Sequence, residues 1–250
     1  MDLAQRFRAL HLQSPLLLLP NIWDVAGARL LEELGYPAVA TASAAVARSL
    51  GYEDGENVPF EQVCWLLARI TASVTVPVTA DIEAGYARDP QGLRQNIHRL
   101  LDTGIVGINI EDTDPRTDAL LPIGDQAARI RVIRETAAAK GIALFINART
   151  DTYFRLQTGQ REEALRRAHA YLDAGADGIY PIGAKTMEDI RALVTGIPAP
   201  VNILAQPGVL DLRELEAAGV ARVSMGPKFQ TSVLEKMKEL ATALQGSAFF

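Results

Sequence analysis

Thr79-Ala80-Asp81-Ile82-Glu83-Ala84-Gly85-Tyr86 combines the end of an apolar strand with two closely spaced carboxylates. Alternate side chains of a strand share a face, so Asp81 and Glu83 are predicted to point the same way. Two like charges held side by side repel each other, and burial strengthens that repulsion. A divalent cation offsets it, and hard cations such as Mg2+ take oxygen ligands. The stretch therefore predicts a metal site at the end of a strand.

A weak internal repeat surrounds this stretch. In each copy a helix-like run ends in Gly, and a β-branched strand follows at once. Gly is favourable just beyond a helix because it adopts positive φ without steric strain. Strands that follow helices so closely predict βα units and a parallel sheet. The repeat glycines are Gly35, Gly104, Gly141, Gly175 and Gly219.

Candidate strands alternate with helical runs along the whole chain. They are predicted at 16–20, 38–43, 77–82, 106–111, 144–149, 178–182, 200–205 and 222–226. This eightfold alternation predicts an α/β protein with a single (β/α)8 TIM-type barrel over residues 1–250. A doubly wound open sheet is the alternative, but it usually has a phosphate-binding glycine loop after its first strand. Here Asn21-Ile22-Trp23-Asp24 follows the first strand instead.

Composition argues against several classes of function. The 250 residues include 25 basic and 30 acidic ones, which gives a net charge of −5 and argues against bulk binding to nucleic acid or anionic membranes. The apolar run Leu16 to Leu19 is far too short for a leader or a membrane span. The one cysteine, Cys64, is expected to be a buried, inert thiol on the second helix. We expect a cytoplasmic protein.

Polar residues concentrate at the predicted C-terminal ends of the strands, whereas the strand bodies are apolar. In a β/α barrel those ends carry the active site. No histidine lies there, and Lys185 and Lys228 are assigned to helix starts or to the surface. The strand-end candidates are Trp23, Asp24, Ser43, Ala44, Ala45, Asp81, Glu83, Glu111, Asp112, Asn147, Arg149, Tyr180, Asn202 and Gln206.

The charged candidates have structural alternatives that the sequence leaves open. The Asp81/Glu83 pair can be a helix-capping or loop pair instead of a metal site. Glu111-Asp112 can be a loop start or a salt bridge. Arg149 can hold a substrate carboxylate in bidentate fashion, or pair internally with Glu111 or Asp151, and both roles can hold at once.

The small candidates Ser43, Ala44 and Ala45 also allow two interpretations. Small side chains let backbone N–H groups approach an anion. The same residues can equally serve ordinary packing.

With these residues in place, the chain resembles the isocitrate lyase/phosphoenolpyruvate mutase superfamily over most of the barrel. The resemblance implies that Asp81 binds Mg2+, with Mn2+ as an alternative, and that Glu83 and Glu111 support the metal, often through water. It implies that Arg149 binds the substrate carboxylate and that the Ser43–Ala45 backbone completes the anion site. The motifs that carry it are Asn21 to Asp24, Ser43-Ala44-Ala45, Asp81 to Tyr86, Ile110-Glu111-Asp112 and Asn147 to Asp151.

The resemblance also implies properties of the substrate and the assembly. The substrate is expected to be a small α-keto acid that passes through an enolate-like species. Arg149 and Glu111 are expected to be catalytic, and the substrate-contacting set is expected to include Trp23, Asp24, Asn147, Tyr180 and Asn202. The assembly is expected to be a homo-oligomer, a tetramer or a dimer, with a C-terminal helix exchanged between subunits.

The sequence departs from the superfamily pattern at three sites. Lyases of the superfamily carry a Lys-Lys-Cys-Gly-His-type loop after the fourth strand, whereas residues 113–124 contain no Cys, Lys or His. The lyases also have Glu after Phe-Pro at the sixth strand, where this chain has Ile182 after Tyr180-Pro181. The Trp that precedes Ser-Gly in phosphonate mutases is replaced around Thr41.

These departures decide the predicted reaction. We predict Mg2+-dependent C–C bond cleavage of a small α-keto (di)carboxylic acid, foremost an oxaloacetate-type decarboxylation, because it requires least from a loop acid. An isocitrate- or 2-methylisocitrate-type lyase is the alternative. A non-catalytic keto-acid-binding protein is a third possibility.

Overall fold

The computed structural model describes residues 2–205 and 211–246, so the candidate Gln206 lies outside the described residues. The strands are β1 Leu17–Leu19, β2 Asn21–Ile22, β3 Val39–Thr41, β4 Val78–Asp81, β5 Gly107–Ile110, β6 Thr113–Asp114, β7 Ala119–Leu120, β8 Phe145–Thr150, β9 Gly178–Pro181, β10 Asn202–Leu204 and β11 Arg222–Ser224. The helices are α1 Leu3–Leu10, α2 Val25–Glu33, α3 Ser43–Leu50, α4 Phe60–Thr71, α5 Pro90–Asp102, α6 Ile123–Ala139, α7 Thr152–Arg155, α8 Gln160–Asp173, α9 Met187–Gly196, α10 Leu212–Ala217 and α11 Lys228–Gly246.

The parallel strands close into a barrel. One set pairs in the order β2-β3-β4-β5-β8-β9 and the other in the order β1-β11-β10. An isolated parallel bridge between Ile179 and Val201 joins the two sets on one side. On the other side β1 and β2 form one strand path interrupted at Pro20, which has no N–H to donate to a neighbouring strand. Every predicted strand overlaps an observed one, and the predicted TIM-type barrel is confirmed.

The repeat glycines adopt the conformation that the sequence predicted. Their φ angles are +84° at Gly35, +86° at Gly104, +70° at Gly141, +103° at Gly175 and +86° at Gly219. Each ends a helix and redirects the chain into the next strand, which is why the repeat was visible at the sequence level.

The stretch after Asp81 differs from the prediction. Strand β4 ends at Asp81, and Glu83 has a φ of +51°, so strand alternation does not relate the two carboxylates. The chain leaves the strand because the Gly85 N–H donates to the Ile82 carbonyl at 2.8 Å and closes a tight turn. Positive φ at a non-glycine residue is uncommon and is often found at functional sites.

The N-terminal end of the barrel is filled by apolar side chains. Phe7 of α1 is fully buried and packs edge-on to Phe145, with ring centroids 5.5 Å apart. Gly107 makes room for it, because a Cβ at Gly107 would lie 2.7 Å from Cε1 of Phe7. Helix α1 therefore closes this end of the barrel and leaves the opposite end for the site.

Two further features bear on the sequence predictions. Cys64 lies on α4 as a half-buried free thiol that packs against the core, and burial raises its pKa. No helix among the described residues is long and apolar enough to cross a bilayer.

We expect Phe7→Ala to lower the free energy of unfolding by about 3–5 kcal/mol, since it removes a fully buried ring and leaves a cavity. Urea unfolding followed by circular dichroism measures this change. Leu12→Ala is the matched control: Leu12 is 74% exposed, so the expected change is within about 0.5 kcal/mol. Equal effects of the two substitutions would show that α1 does not close the barrel.

Candidate active site

A cavity of about 230 Å3 opens at the C-terminal ends of the barrel strands. It brings five sequence candidates together: Ser43, Ala44, Asp81, Arg149 and Tyr180. The other lining residues are Asn21, Ala42, Asp54, Asn109, Phe154, Ile182, Leu204, Ser224, Gly226, Pro227 and Lys228. The cavity has room for a small organic acid.

Asp81 occupies the end of β4 and is tied to the start of α3. Its Oδ2 accepts hydrogen bonds from the Ser43 backbone N–H at 3.3 Å and the Ser43 hydroxyl at 3.0 Å. Its own N–H donates to Oγ1 of Thr41 at 3.1 Å. These contacts fix the carboxylate at the cavity wall, beside the N-terminal end of a helix, where negative charge is stabilised.

Glu83 is buried and directed into the protein. Its Oε2 accepts from the backbone N–H groups of Gly55 at 2.7 Å and Glu56 at 2.6 Å. Its Oε1 accepts from the Tyr86 hydroxyl at 2.6 Å. Glu83 thereby anchors the loop that carries Asp54 to the cavity.

Asp54 was not predicted from the sequence. It lines the cavity, and partial desolvation followed by the charge of Asp81 raises its pKa. Asp54 lies in the Gly51-Tyr52-Glu53-Asp54-Gly55 loop between α3 and α4, away from the strand ends on which the sequence predictions rest. An acidic residue next to a loop glycine is the one signal that could have identified it.

The same crowding of acidic groups changes the titration of Glu83. Burial raises its pKa to about 7, and the charges of Asp54 and Asp81 add to that increase against the opposing hydrogen bond from Tyr86. Asp81 and Glu83, the like-charged pair predicted at this strand end, therefore do interact. A turn, and not strand alternation, brings them together.

Arg149 forms the centre of a second charged cluster. Its Nη1 lies 2.7 Å from Glu111 Oε2, while Nε and Nη2 lie 2.6 and 3.1 Å from the two oxygens of Asp151. Burial opposes its charge, but Glu111, Asp151 and Asp81 outweigh that effect and raise its pKa further. Burial raises the pKa of Glu111 well above its ordinary value despite Arg149. The internal pairs that the sequence left open are present, and Arg149 also lines the cavity.

A buried hydrogen-bond network around Asp112 supports the charged cluster that Arg149 forms. The Asp151 N–H donates to Oδ1 of Asp112 at 2.9 Å. Oδ2 of Asp112 accepts from the Tyr171 hydroxyl at 2.7 Å and Arg167 Nη1 at 3.0 Å, both from α8. Asp112 is thus a structural residue that positions Asp151, and Asp151 orients the guanidinium of Arg149.

Several candidates do not line the cavity. Asp24 caps α2 by accepting the Gly27 N–H at 2.7 Å, and Trp23 packs near Phe229 with ring centroids 6.4 Å apart. The Ala45 carbonyl accepts from Gln230 at 2.8 Å. Asn147 and Asn202 are buried side chains beneath the cavity; they donate to Asn109 at 2.8 Å and Ser224 at 3.2 Å.

Besides Asp54, the polar cavity residues Asn109, Ser224 and Lys228 were assigned otherwise or missed. Lys228 begins α11 as the sequence predicted, but it also lines the cavity. Asn109 lies within a strand that reads as uniformly apolar on both sides of it. Strand alternation places it on the same face as the candidate Glu111, two residues later, which is the signal that could have identified it.

The residues present fit a Mg2+ ion. Among residues 2–205 and 211–246 no three acidic, His or Cys side chains form a ready-made metal cage. Asp54 and Asp81 are the carboxylates that line the cavity, whereas Glu83 and Glu111 do not line it. Mg2+ is commonly held by one or two carboxylates, with water and substrate supplying the other ligands.

Comparison with known proteins identifies the family. The sequence profile named phosphoenolpyruvate phosphomutase matches residues 7–245. The chain belongs to this family. The predicted resemblance to the isocitrate lyase/phosphoenolpyruvate mutase superfamily is thereby confirmed.

Members of the phosphoenolpyruvate phosphomutase family differ in their named activities. A provisionally named phosphonomutase from Burkholderia cenocepacia has a structure 38% identical in sequence, with a TM-score of 0.91 over 98% of this chain and 100% of its own. An uncharacterized Mycobacterium tuberculosis protein is 36% identical over 88% of this chain and 81% of its own. Bacillus subtilis 2-methylisocitrate lyase is 28% identical over 80% of this chain and 66% of its own. Pseudomonas putida oxaloacetate decarboxylase 2 is 24% identical over 91% of this chain and 76% of its own.

The raised pKa of Glu83 predicts a pH dependence of stability in the metal-free protein. A carboxyl whose pKa rises from 4.5 to about 7 on folding contributes stability below about pH 4.5 and loses it as the pH rises through 7. Between those limits we expect the free energy of unfolding to fall by about 3 kcal/mol more in the wild type than in Glu83→Gln. Urea titrations with a chelator at several pH values measure this difference. Parallel pH profiles would contradict the assigned environment.

Proposed function

We propose that this protein cleaves a C–C bond of a small 2-oxo dicarboxylic acid with the help of Mg2+ or Mn2+, and that decarboxylation of an oxaloacetate-like acid is its reaction. The observation that carries the proposal is the polarity of the cavity. Asp54 and Asp81 line it as acidic groups, and Arg149 and Lys228 line it as cationic groups. A metal–carboxylate complex suits such a cavity, because the acidic groups attract the cation and the cationic groups attract the carboxylate.

The acidic residues are proposed to hold the cation. Asp81 is the direct ligand, Asp54 lies beside it, and Glu83 and Glu111 support the site through water or through the loop. A bound divalent cation supplies Lewis-acid polarisation of the keto and carboxylate oxygens. Glu83 holds the Asp54 loop in place through the Gly55 and Glu56 N–H groups.

The cationic residues and the start of α3 are proposed to hold the substrate. Arg149 is kept in one orientation by Glu111 and Asp151, so its charge is positioned before the ligand arrives. The first N–H groups of a helix have no partner within the helix, and Ser43 and Ala44 at the start of α3 line the cavity. These groups suit a carboxylate or an oxyanion.

The proposed reaction requires little proton transfer. The C3–C4 bond of the acid breaks, CO2 leaves, and the electron pair passes to the 2-oxo group as an enolate. Protonation of the enolate at C3 gives the shorter 2-oxo acid. The positive charge of Arg149 favours the anionic forms that the reaction passes through.

The lyase alternative has less support from the site. In this chain the segment after the fourth barrel strand forms the short β6–β7 hairpin, which contains no Cys, Lys or His. Ile182 lines the cavity where the superfamily lyases carry Glu. A non-catalytic keto-acid-binding protein remains the third hypothesis, and turnover distinguishes it.

We also propose a cytoplasmic homo-oligomer, a dimer or tetramer, built from one barrel domain over residues 1–250. Helix α11 supports this proposal because it exposes Val233, Met237, Leu240 and Leu244 at helical spacing, with exposed fractions from 42% to 62%. An exchanged helix would bury this face against another subunit. A monomeric mass by light scattering would contradict the proposal.

The test of the reaction is a panel of 2-oxo acids. Thermal shifts with and without Mg2+ identify ligands, and turnover of each ligand follows by release of CO2 and formation of the shorter acid. Metal-dependent binding without turnover across the panel would favour the non-catalytic binder instead.

We expect Asp81→Ala to abolish Mg2+-dependent turnover, because it removes the proposed direct ligand. Glu83→Ala and Glu111→Ala are expected to weaken Mg2+ binding about 10–100-fold, as losses of supporting groups do. Asp173→Ala, on an exposed helix end, is the control and should bind normally. Calorimetry that finds ordinary Mg2+ affinity in Asp81→Ala would remove the proposed metal site.

Arg149→Lys is expected to lose keto-acid affinity although the charge remains, because lysine lacks the fork of donors that binds three oxygens here. Affinity with Mg2+ and the melting temperature without ligand are measured together. Arg191→Lys on the exposed side of α9 is the matched control. A large fall in melting temperature with unchanged affinity would make Arg149 a purely structural residue.

A further inference from the structure

Arg222 is a cation sealed inside the barrel. It lies at the start of β11 and is only 1% exposed. The ion pairs found among the described residues do not include it, and its Nε and Nη1 have no protein partner there. Burial lowers its pKa to about 10, so it remains charged at neutral pH.

A buried charge without an ion-pair partner is unfavourable for folding, so its retention calls for a role. Arg222 lies two residues before Ser224, which lines the cavity, and thus beneath the floor of the site. Its one recorded hydrogen bond runs from Nη2 to Oδ1 of Asn109 at 3.4 Å.

Asn109 connects Arg222 to the cavity. It lies on β5, paired with Asp81 of β4 on one side and with Asn147 of β8 on the other. Its Oδ1 also accepts from Nδ2 of Asn147 at 2.8 Å. The Asn109 side chain is therefore held by two donors from different strands.

Arg222 determines the orientation of the Asn109 amide. A guanidinium has donors only, so the Asn109 atom that faces it must be the oxygen. The NH2 group is then turned away from Arg222. Asn109 lines the cavity, and the hydrogen bonds recorded for the described residues give Nδ2 no protein acceptor.

We propose that Asn109 donates from Nδ2 to an anionic oxygen of the substrate, and that Arg222 is the positioning residue that fixes this orientation. The inference rests on the proposed function, since it assumes an acidic ligand. Asn109 lies between the strands of Asp81 and Arg149, so the oxygen it binds is one held between those two residues. A flipped amide would present its carbonyl to the same anion and repel it.

Asn109→Asp tests the proposed arrangement of Arg222, Asn109 and the ligand. We expect this substitution to raise the melting temperature and to weaken ligand binding. The carboxylate keeps the shape of the amide and supplies Arg222 with a counter-charge, so we expect the melting temperature to rise by about 2 °C or more. The same variant offers negative charge and no donor to the ligand. We expect its affinity for oxalate, measured by calorimetry with Mg2+, to fall about 10-fold or more.

The matched control is Gln13→Glu, which makes the same amide-to-acid change on an exposed residue outside the cavity. It should alter neither quantity. Unchanged oxalate affinity in Asn109→Asp would overturn the proposed donor. A lower melting temperature of Asn109→Asp would overturn the contact with Arg222. The melting-temperature measurement remains informative even if the wild-type protein does not bind oxalate. Absence of oxalate binding in the wild type would count against the proposed function.

A double-mutant cycle tests whether Arg222 acts through Asn109. Arg222→Met should weaken oxalate binding about 10-fold in the wild-type background and have little further effect in Asn109→Ala. Arg222→Lys keeps a donor and a charge and should recover part of the affinity. Additive losses in the cycle would show that Arg222 acts on the ligand independently of Asn109 and would overturn its positioning role.

Discussion

Repulsion among carboxylates at one end of the barrel is the constraint on which the site depends. Parallel strands that close into a barrel deliver all their C-terminal ends to one rim, so acidic residues on neighbouring strands converge. The protein compensates each of them differently. Ser43 donors hold Asp81, backbone N–H groups and Tyr86 hold Glu83, and Arg149 pairs with Glu111. Asp54 and Asp81 are the carboxylates that line the cavity, and the proposed metal ion would complete their compensation.

The barrel separates this charged rim from an apolar floor. Phe7 fills the N-terminal end, and small residues such as Gly107 leave space for it. Between floor and rim lies a polar layer that includes Asn109, Asn147 and Arg222. Such a layer transmits orientation rather than bulk stability, since Arg222 can only donate and so fixes the amide of Asn109, whose oxygen also accepts from Asn147. The orientation of the Asn109 amide therefore depends on two residues, Asn147 and Arg222, that do not themselves line the cavity.

Much of the fold could be predicted from sequence because its signals are local. A helix that ends in Gly and leads at once into a β-branched strand is defined within about ten residues, and Gly35 and Gly175 show the positive φ that this pattern requires. Asp81 and Arg149 were found because strand ends can be read from composition. Asp54, Asn109 and Lys228 could not be found in that way. Asp54 reaches the cavity on a loop anchored by Glu83, Asn109 lies within β5 rather than at its end, and Lys228 depends on the direction in which α11 starts.

The distribution of groups around the cavity also bears on the chemistry. Phe154, Ile182 and Leu204 form an apolar wall between the strand ends of Arg149 and Lys228. Charged leaving groups gain nothing from such a wall, whereas a neutral product such as CO2 is compatible with it. Arg149, on one side of that wall, can hold the carboxylate that stays on the product while the terminal C3–C4 bond breaks. A reaction that releases a neutral fragment and keeps its negative charge beside Arg149 is the one that this arrangement of charged and apolar groups favours.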